Sequence, residues 1–154
     1  AYIGSTPKCA NTKHDIFEQN KDFAIHFQQK HELSSNSKVE VYETIEKEVF
    51  GNLNKMYSVD FTQVKDYDFY VIDGPIGSPR FSRFDVVRVT EHKKYGDEFL
   101  ILFDDLNRIG EVDTLNYMME SFKERGIEAN SFIYTGEKSV AVIATPKYKW
   151  ALSF

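Results

Sequence analysis

The sequence predicts an α/β fold, with a mostly parallel sheet covered by helices on both faces and closed by an antiparallel hairpin. Three observations predict it. Two strongly apolar runs, Tyr67–Asp73 and Phe99–Asp104, each end in acids, as buried strands do where they leave a sheet. Strand-type and helix-type patterns alternate along most of the chain. The short loop Gly136-Glu137-Lys138 joins two further strand patterns and can connect them only antiparallel.

Taken in order, His14–Glu18 reads as a short strand ending in an acid. Asn20 is placed to cap a helix over Lys21–Glu32, with Phe23, Ala24 and Phe27 at helical spacing. Ser34–Ser37 is a polar loop, and Val39–Thr44 alternates as a strand does. Residues 45–64 fit neither template cleanly, although Gly51 and Asn52 mark a break. Tyr67–Asp73 is the first strong strand, Phe84–His92 a helix, and Phe99–Asp104 the second strong strand. Gly110–Arg125 is the clearest helix: Val112, Leu115, Met118, Met119 and Phe122 form its apolar face, and Gly126 stands where a left-handed C-terminal cap belongs. Asn130–Thr135 and Ser139–Thr145 are the closing strands, and Pro146 ends the last. Such a succession is Rossmann-like.

At 154 residues the chain is long enough for one domain with a sizeable core, and 42% hydrophobic residues suit a folded protein. The net charge of −5 gives no attraction for nucleic acid or anionic membranes, which call for clustered Lys and Arg. The single cysteine, Cys9, excludes an internal disulfide and is compatible with a reducing cytoplasm. No apolar run approaches the roughly 20 residues of a membrane span, and no signal peptide is visible. The expected setting is therefore cytoplasmic, without a membrane or nucleic-acid partner.

The chemistry concentrates after the two strong strands. Asp73 follows Tyr-Val-Ile directly and is costly to bury unpaired, so it belongs at the strand exit, facing solvent, a metal or a partner, or capping the Gly-Pro-Ile-Gly turn. Asp104 and Asp105 leave an equally apolar strand toward the same edge. Three converging carboxylates repel unless a cation or arginines intervene, and an all-oxygen site of this kind suits Mg²⁺, Mn²⁺ or Ca²⁺ better than zinc. Arg80, Arg83 and Arg108 lie in or beside loops rich in Gly, Pro and Ser. They read either as clamps for an anionic substrate or as partners of Asp73, Asp85 or Asp105. His14, His26, His31 and His92 are scattered without metal-ligand spacing, and no Ser- or Cys-nucleophile motif exists.

The run Tyr67-Asp-Phe-Tyr-Val-Ile-Asp-Gly-Pro-Ile-Gly-Ser-Pro-Arg-Phe-Ser-Arg83, followed by Ile101-Leu-Phe-Asp-Asp-Leu-Asn-Arg-Ile-Gly-Glu111, resembles uncharacterised bacterial proteins of the class I S-adenosylmethionine-dependent methyltransferases. The resemblance is specific over 67–111 and loose over the rest of 14–145. It implies that the closing hairpin is the reversed last strand of that fold. It also implies that Glu18 hydrogen-bonds the ribose hydroxyls of S-adenosylmethionine, and that Gly4, Ser5 and Thr6 are the tail of a glycine-rich cofactor turn. The acid and first glycine of that turn are absent here, and the strand before it is reduced to Ala1–Ile3, so an incomplete N-terminal strand is expected. In the metal-dependent O-methyltransferases of the class, acids in the positions of Asp73, Asp104 and Asp105 hold a divalent cation such as Mg²⁺, which orients a diol and acidifies its hydroxyl.

The expectation is thus a methyltransferase-like protein acting on the hydroxyl of a small molecule or sugar. Asp73 is the catalytic base or metal ligand, and it also borders the cofactor. The functional edge is formed by Glu18, Asp73 and Asp104. The alternative, favoured by the incomplete glycine motif, is a cofactor-free module that keeps the fold for binding or interaction. Either reading leaves room for a homo-oligomer.

Overall fold

A computed structural model describes residues 12–31, 33 and 35–153. The chain divides into two compact units, Ala1–Thr44 with Tyr57–Val59, and Ile45–Met56 with Asp60–Phe154. Gly4, Ser5, Thr6 and Cys9 lie outside the described residues.

In the first unit, β1 (His14–Glu18) and β2 (Ser37–Val41) pair in parallel, with α1 (Lys21–Lys30) connecting them. A parallel pair needs such a crossover, because a tight turn cannot reverse the chain twice. Asn20 caps α1 as its sequence position predicts: its Oδ1 accepts from the N–H groups of Asp22 and Phe23 at 2.9 and 3.1 Å. Phe17 packs edge-on against Tyr42 and Tyr57, and the Tyr57 hydroxyl donates to the Phe17 carbonyl at 3.3 Å.

The second unit carries the main core. The ambiguous stretch after residue 44 is a hairpin of β3 (Thr44–Val49) and β4 (Asn52–Tyr57), turned by Phe50 and Gly51, both with positive φ (49° and 76°). A four-stranded sheet follows in the order β5 (Phe69–Ile72), β6 (Leu100–Phe103), β8 (Ser139–Ala144), β7 (Asn130–Thr135). β5 and β6 are parallel, whereas β6–β8 and β8–β7 are antiparallel.

This corrects the expected fold. Among the described residues a mostly parallel, doubly covered Rossmann-like sheet does not form; their strands fall into three short sheets, and only one of the three pairings in the largest is parallel. Residues 45–64 supply a hairpin where the alternation called for a crossover, and the Gly136 loop sends β8 back against β6. The second face is covered only in part, over Val142 and Ala144 of β8. Tyr70, Ile101, Phe103, Ala141 and Ile143 point into the core, while on the opposite face Phe69, Val71 and Phe132 remain 40%, 62% and 48% exposed.

The covered face packs on α3 (Ile109–Glu124), whose Leu115, Met118 and Phe122 are buried, with the Phe99 and Phe122 rings 5.2 Å apart. α3 ends as its Gly126 predicts. That glycine has φ 69°, Ile127 N–H donates to Phe122 O at 2.9 Å, and Gly126 N–H donates to Lys123 O at 3.0 Å, a Schellman closure. The helix expected over Phe84–His92 is shorter, α2 (Asp85–Val89). Thr90 ends it: its hydroxyl donates to Val86 O at 2.7 Å, and Arg125 then takes the carbonyls of Thr90, Glu91 and Lys93. Lys93, also buried, lies over the rings of Tyr70 and Phe99 and donates to Tyr67 O at 2.7 Å and to Asp66.

Candidate functional site

The parallel pair β5–β6 releases its two chain ends side by side, since Ile72 is level with Phe103. Asp73 follows the first, Asp104 and Asp105 the second, and one carboxylate oxygen from each lies within 4.8 Å of the others. Their burial is graded. The Asp73 side chain is 69% exposed, Asp104 is half-buried, and Asp105 is buried. Asp105 reaches inward because its backbone takes a left-handed turn, φ 64°, and its N–H donates to Asp104 Oδ1 at 2.8 Å.

The opposing charge comes from three other places. Arg83, in the loop after β5, is 4% exposed; its Nη2 donates to Asp105 Oδ2 at 2.7 Å, its Nη1 to Asp104 O at 3.1 Å, and Asp73 Oδ1 lies 3.6 Å away. Arg108 places Nη1 3.2 Å from Asp105 and 3.7 Å from Glu111. Lys138 places its ammonium 3.3 Å from both Asp104 Oδ2 and Asp105 Oδ1. Glu111, fully buried, adds a fourth acid 3.8 Å from Arg83 Nε. Four carboxylates thus face three cations, leaving one negative charge in excess.

This balance separates the carboxyls. Burial works to raise the pKa of Asp105, but hydrogen bonds from Lys138 and Arg83 outweigh it and hold the group below the usual carboxylate range. Asp73 moves the other way. Partial desolvation raises its pKa, Arg83 opposes, and the neighbouring Asp104 charge and a hydrogen bond shared with Asp104 add to the rise. The ammonium of Lys138 is held above its ordinary value by hydrogen bonds to Asp105 and Asp104.

The loop carrying Arg83 is fastened to the start of α3. Ser82 N–H donates to Gly110 O at 2.9 Å, Thr114 Oγ1 to Ser82 O at 2.7 Å, and Ser82 Oγ to Glu111 Oε1 at 2.9 Å. Gly110 permits the approach, because a Cβ there would lie 2.5 Å from Ser78 O. Arg80 grips Asp113 through two nitrogens, Nη2 donating to Oδ1 at 3.0 Å and Nε to Oδ2. Phe81, at φ 47°, stacks near Phe50, whose ring also meets Phe84 and Tyr117.

The structure therefore brings together Asp73, Asp104, Asp105, Arg83 and Arg108. Arg80 is engaged with Asp113 instead, 33 residues away in sequence. Glu18 belongs to the first unit, where its Oε1 accepts the Asn20 N–H at 2.7 Å. Whether a divalent cation fits beside the three aspartates turns on Lys138, which occupies the space between two of them. Arg83 holds Asp105 at 2.7 Å, and Lys138, its side chain 62% exposed, holds Asp104 and Asp105 at 3.3 Å each.

Sequence reasoning missed Lys138, Glu111 and Asp113. The signal for Lys138 was register: with Phe103 opposite Ala141, the residue just before β8 lands beside the two acids that follow β6. Glu111 stands three residues after Arg108 at the start of a helix, on the same face. Asp113 had no local signal. Comparison with protein-family models, curated proteins and solved structures finds no match to this chain.

Proposed function

We propose that the edge formed by Asp73, Asp104 and Asp105 is the reactive end of an S-adenosylmethionine-dependent, methyltransferase-like protein that acts on a hydroxyl of a small molecule or sugar. The observation that carries the reading is Asp73. It is the exposed carboxyl of the cluster, it sits at the end of the parallel pair, and its pKa is raised. A carboxylate made more basic by burial and by a neighbouring acid is suited to receive the proton of an acceptor hydroxyl. Further support comes from the resemblance over residues 67–111 and from a last strand, β8, that runs against β6.

S-adenosylmethionine, when bound, supplies an electrophilic methyl group. The chain's own part at this edge is to take up a proton at Asp73; Glu18, in the first unit, is proposed separately for the ribose hydroxyls. Hydrogen bonds from Lys138 and Arg83 hold Asp105 below the usual carboxylate range, so a proton is taken up at Asp73 in preference to Asp105. Arg108, with its guanidinium half in solvent, is the arginine best placed to meet an acidic acceptor.

A second reading, a cofactor-free interaction module, is favoured by one observation: the cations of the edge already serve internal carboxylates. Isothermal titration of the chain with S-adenosylmethionine and S-adenosylhomocysteine separates the two. Saturable heat with either ligand supports the enzyme reading; no heat with either removes it in favour of the module.

A further inference from the structure

Three aspartate oxygens within 4.8 Å are the kind of group that gathers a divalent ion, yet a positive charge is already in place. Lys138 Nζ is 3.3 Å from Asp104 Oδ2 and 3.3 Å from Asp105 Oδ1, bridging the two acids. A Mg²⁺ or Mn²⁺ ion bound to those same oxygens at about 2.0–2.2 Å would fall against the ammonium, at close range and with like sign.

The position of Lys138 is set by backbone and not only by a long flexible side chain. Leu106 N–H donates to Ser139 O at 2.7 Å, which fixes the start of β8 next to the Asp104–Asp105 turn. The hairpin loop closes on itself through Gly136 N–H to Lys138 O at 3.1 Å. Arg83 and Arg108 oppose the aspartates from the other side, so each of the three acids already has a cation within 3.6 Å.

We propose that Lys138 is the resident cation of the Asp73–Asp104–Asp105 cluster, and that the β7–β8 hairpin thereby excludes divalent metal from it. The inference is independent of the methyl-transfer reading, because it concerns a cation site that needs no cofactor to be tested. It assigns Lys138 a role as a positioning residue: it sets the charge of the edge in place of a metal ion while the hairpin is seated.

The test is a titration with Mn²⁺ alone, followed by the loss of its free electron-spin-resonance signal, on wild type, Lys138→Gln and Lys138→Arg. Lys138 is exposed, and thermal melts without metal establish that each variant is folded. Lys138→Gln should bind Mn²⁺ at least about tenfold more tightly than wild type, the scale of one like charge removed at close range. Lys138→Arg should stay like wild type, and adding Asp104→Asn to Lys138→Gln should abolish the gain. Wild type binding one Mn²⁺ as tightly as Lys138→Gln would overturn the proposal, and so would a Lys138→Gln protein that gains nothing.

Discussion

Arg83 and Asp105 form a buried ion pair, Nη2 to Oδ2 at 2.7 Å, and both residues hold left-handed backbone, φ 56° and 64°. Non-glycine residues adopt that conformation at a cost, so two strained turns face each other across one charge-assisted bond. The pair joins the loop after β5 to the end of β6, and the orientation of the whole carboxylate edge depends on it.

Removing one partner of this pair should therefore be severe. Arg83→Met takes from the buried Asp105 its shortest ion pair and from the buried Glu111 one of its two neighbouring cations, and breaking a buried pair from one side typically costs about 3–5 kcal/mol. In urea unfolding, Arg83→Met should show that loss, and Arg83→Met/Asp105→Leu should lose less than the sum of the two single changes. Additive single effects would mean the two residues are not energetically coupled.

Gly110→Ala tests how the loop is seated. The added methyl meets Ser78 O at 2.5 Å and Ser82 Cβ at 2.9 Å, and backbone on that side cannot yield without releasing the Ser82–Gly110 bond. Overpacking of this kind costs about 1–3 kcal/mol. We expect a lower melting temperature together with new protease cleavage between residues 74 and 83; unchanged melting and cleavage would show that the loop does not depend on this contact.

Acid should weaken the second unit, with a sign that follows from three carboxyls. Asp113 is held below its ordinary range by Arg80; Asp105 and Asp66 are held there too, by hydrogen bonds from Lys138 and Arg83 in one case and from His92 and Lys93 in the other, each against an opposing effect of burial. A depressed carboxyl contributes stability that is fully present above its unfolded value of about 4 and is lost as pH falls through the folded value. Asp73, raised, works oppositely: its ionisation is what the fold resists, so it favours the folded state toward acid. Asp60 and Glu98, lowered by hydrogen bonds from Thr62 and from Thr145 and Lys147, act in the same direction as the three, so denaturant midpoints should fall between pH 5 and pH 2. A midpoint that held or rose over that range would contradict the assignment.

Much of this was legible before any coordinates. α3 and both closing strands lie within a residue or so of where their patterns put them, because the Leu115–Met118–Phe122 stripe, the Gly126 cap and the Gly136 loop are local signals. The Asn20 cap and the strand exits at Asp73 and Asp104 were local as well. The β3–β4 hairpin was not, since Phe50 is no turn former; its left-handed φ is held by the rings of Phe81, Phe84 and Tyr117, contacts that exist only once the chain has folded. The parallel sheet was over-read for a related reason. Alternation of strands and helices says nothing of which strands pair, and pairing was decided by two hairpins. In the site, the acids were found from their own strands, but their partners Lys138 and Asp113 come from distant segments that only register and packing bring near.

The account stands most directly on whether the chain holds a nucleoside cofactor through Glu18. Titration calorimetry with S-adenosylhomocysteine should give saturable heat for wild type, heat weakened about tenfold or more in affinity for Glu18→Gln, as for loss of a charged hydrogen bond to a diol, and nearly unchanged binding for Asp73→Asn, for which we propose a role in proton transfer. Heat from wild type that Glu18→Gln leaves untouched, or no heat from wild type at all, would contradict it.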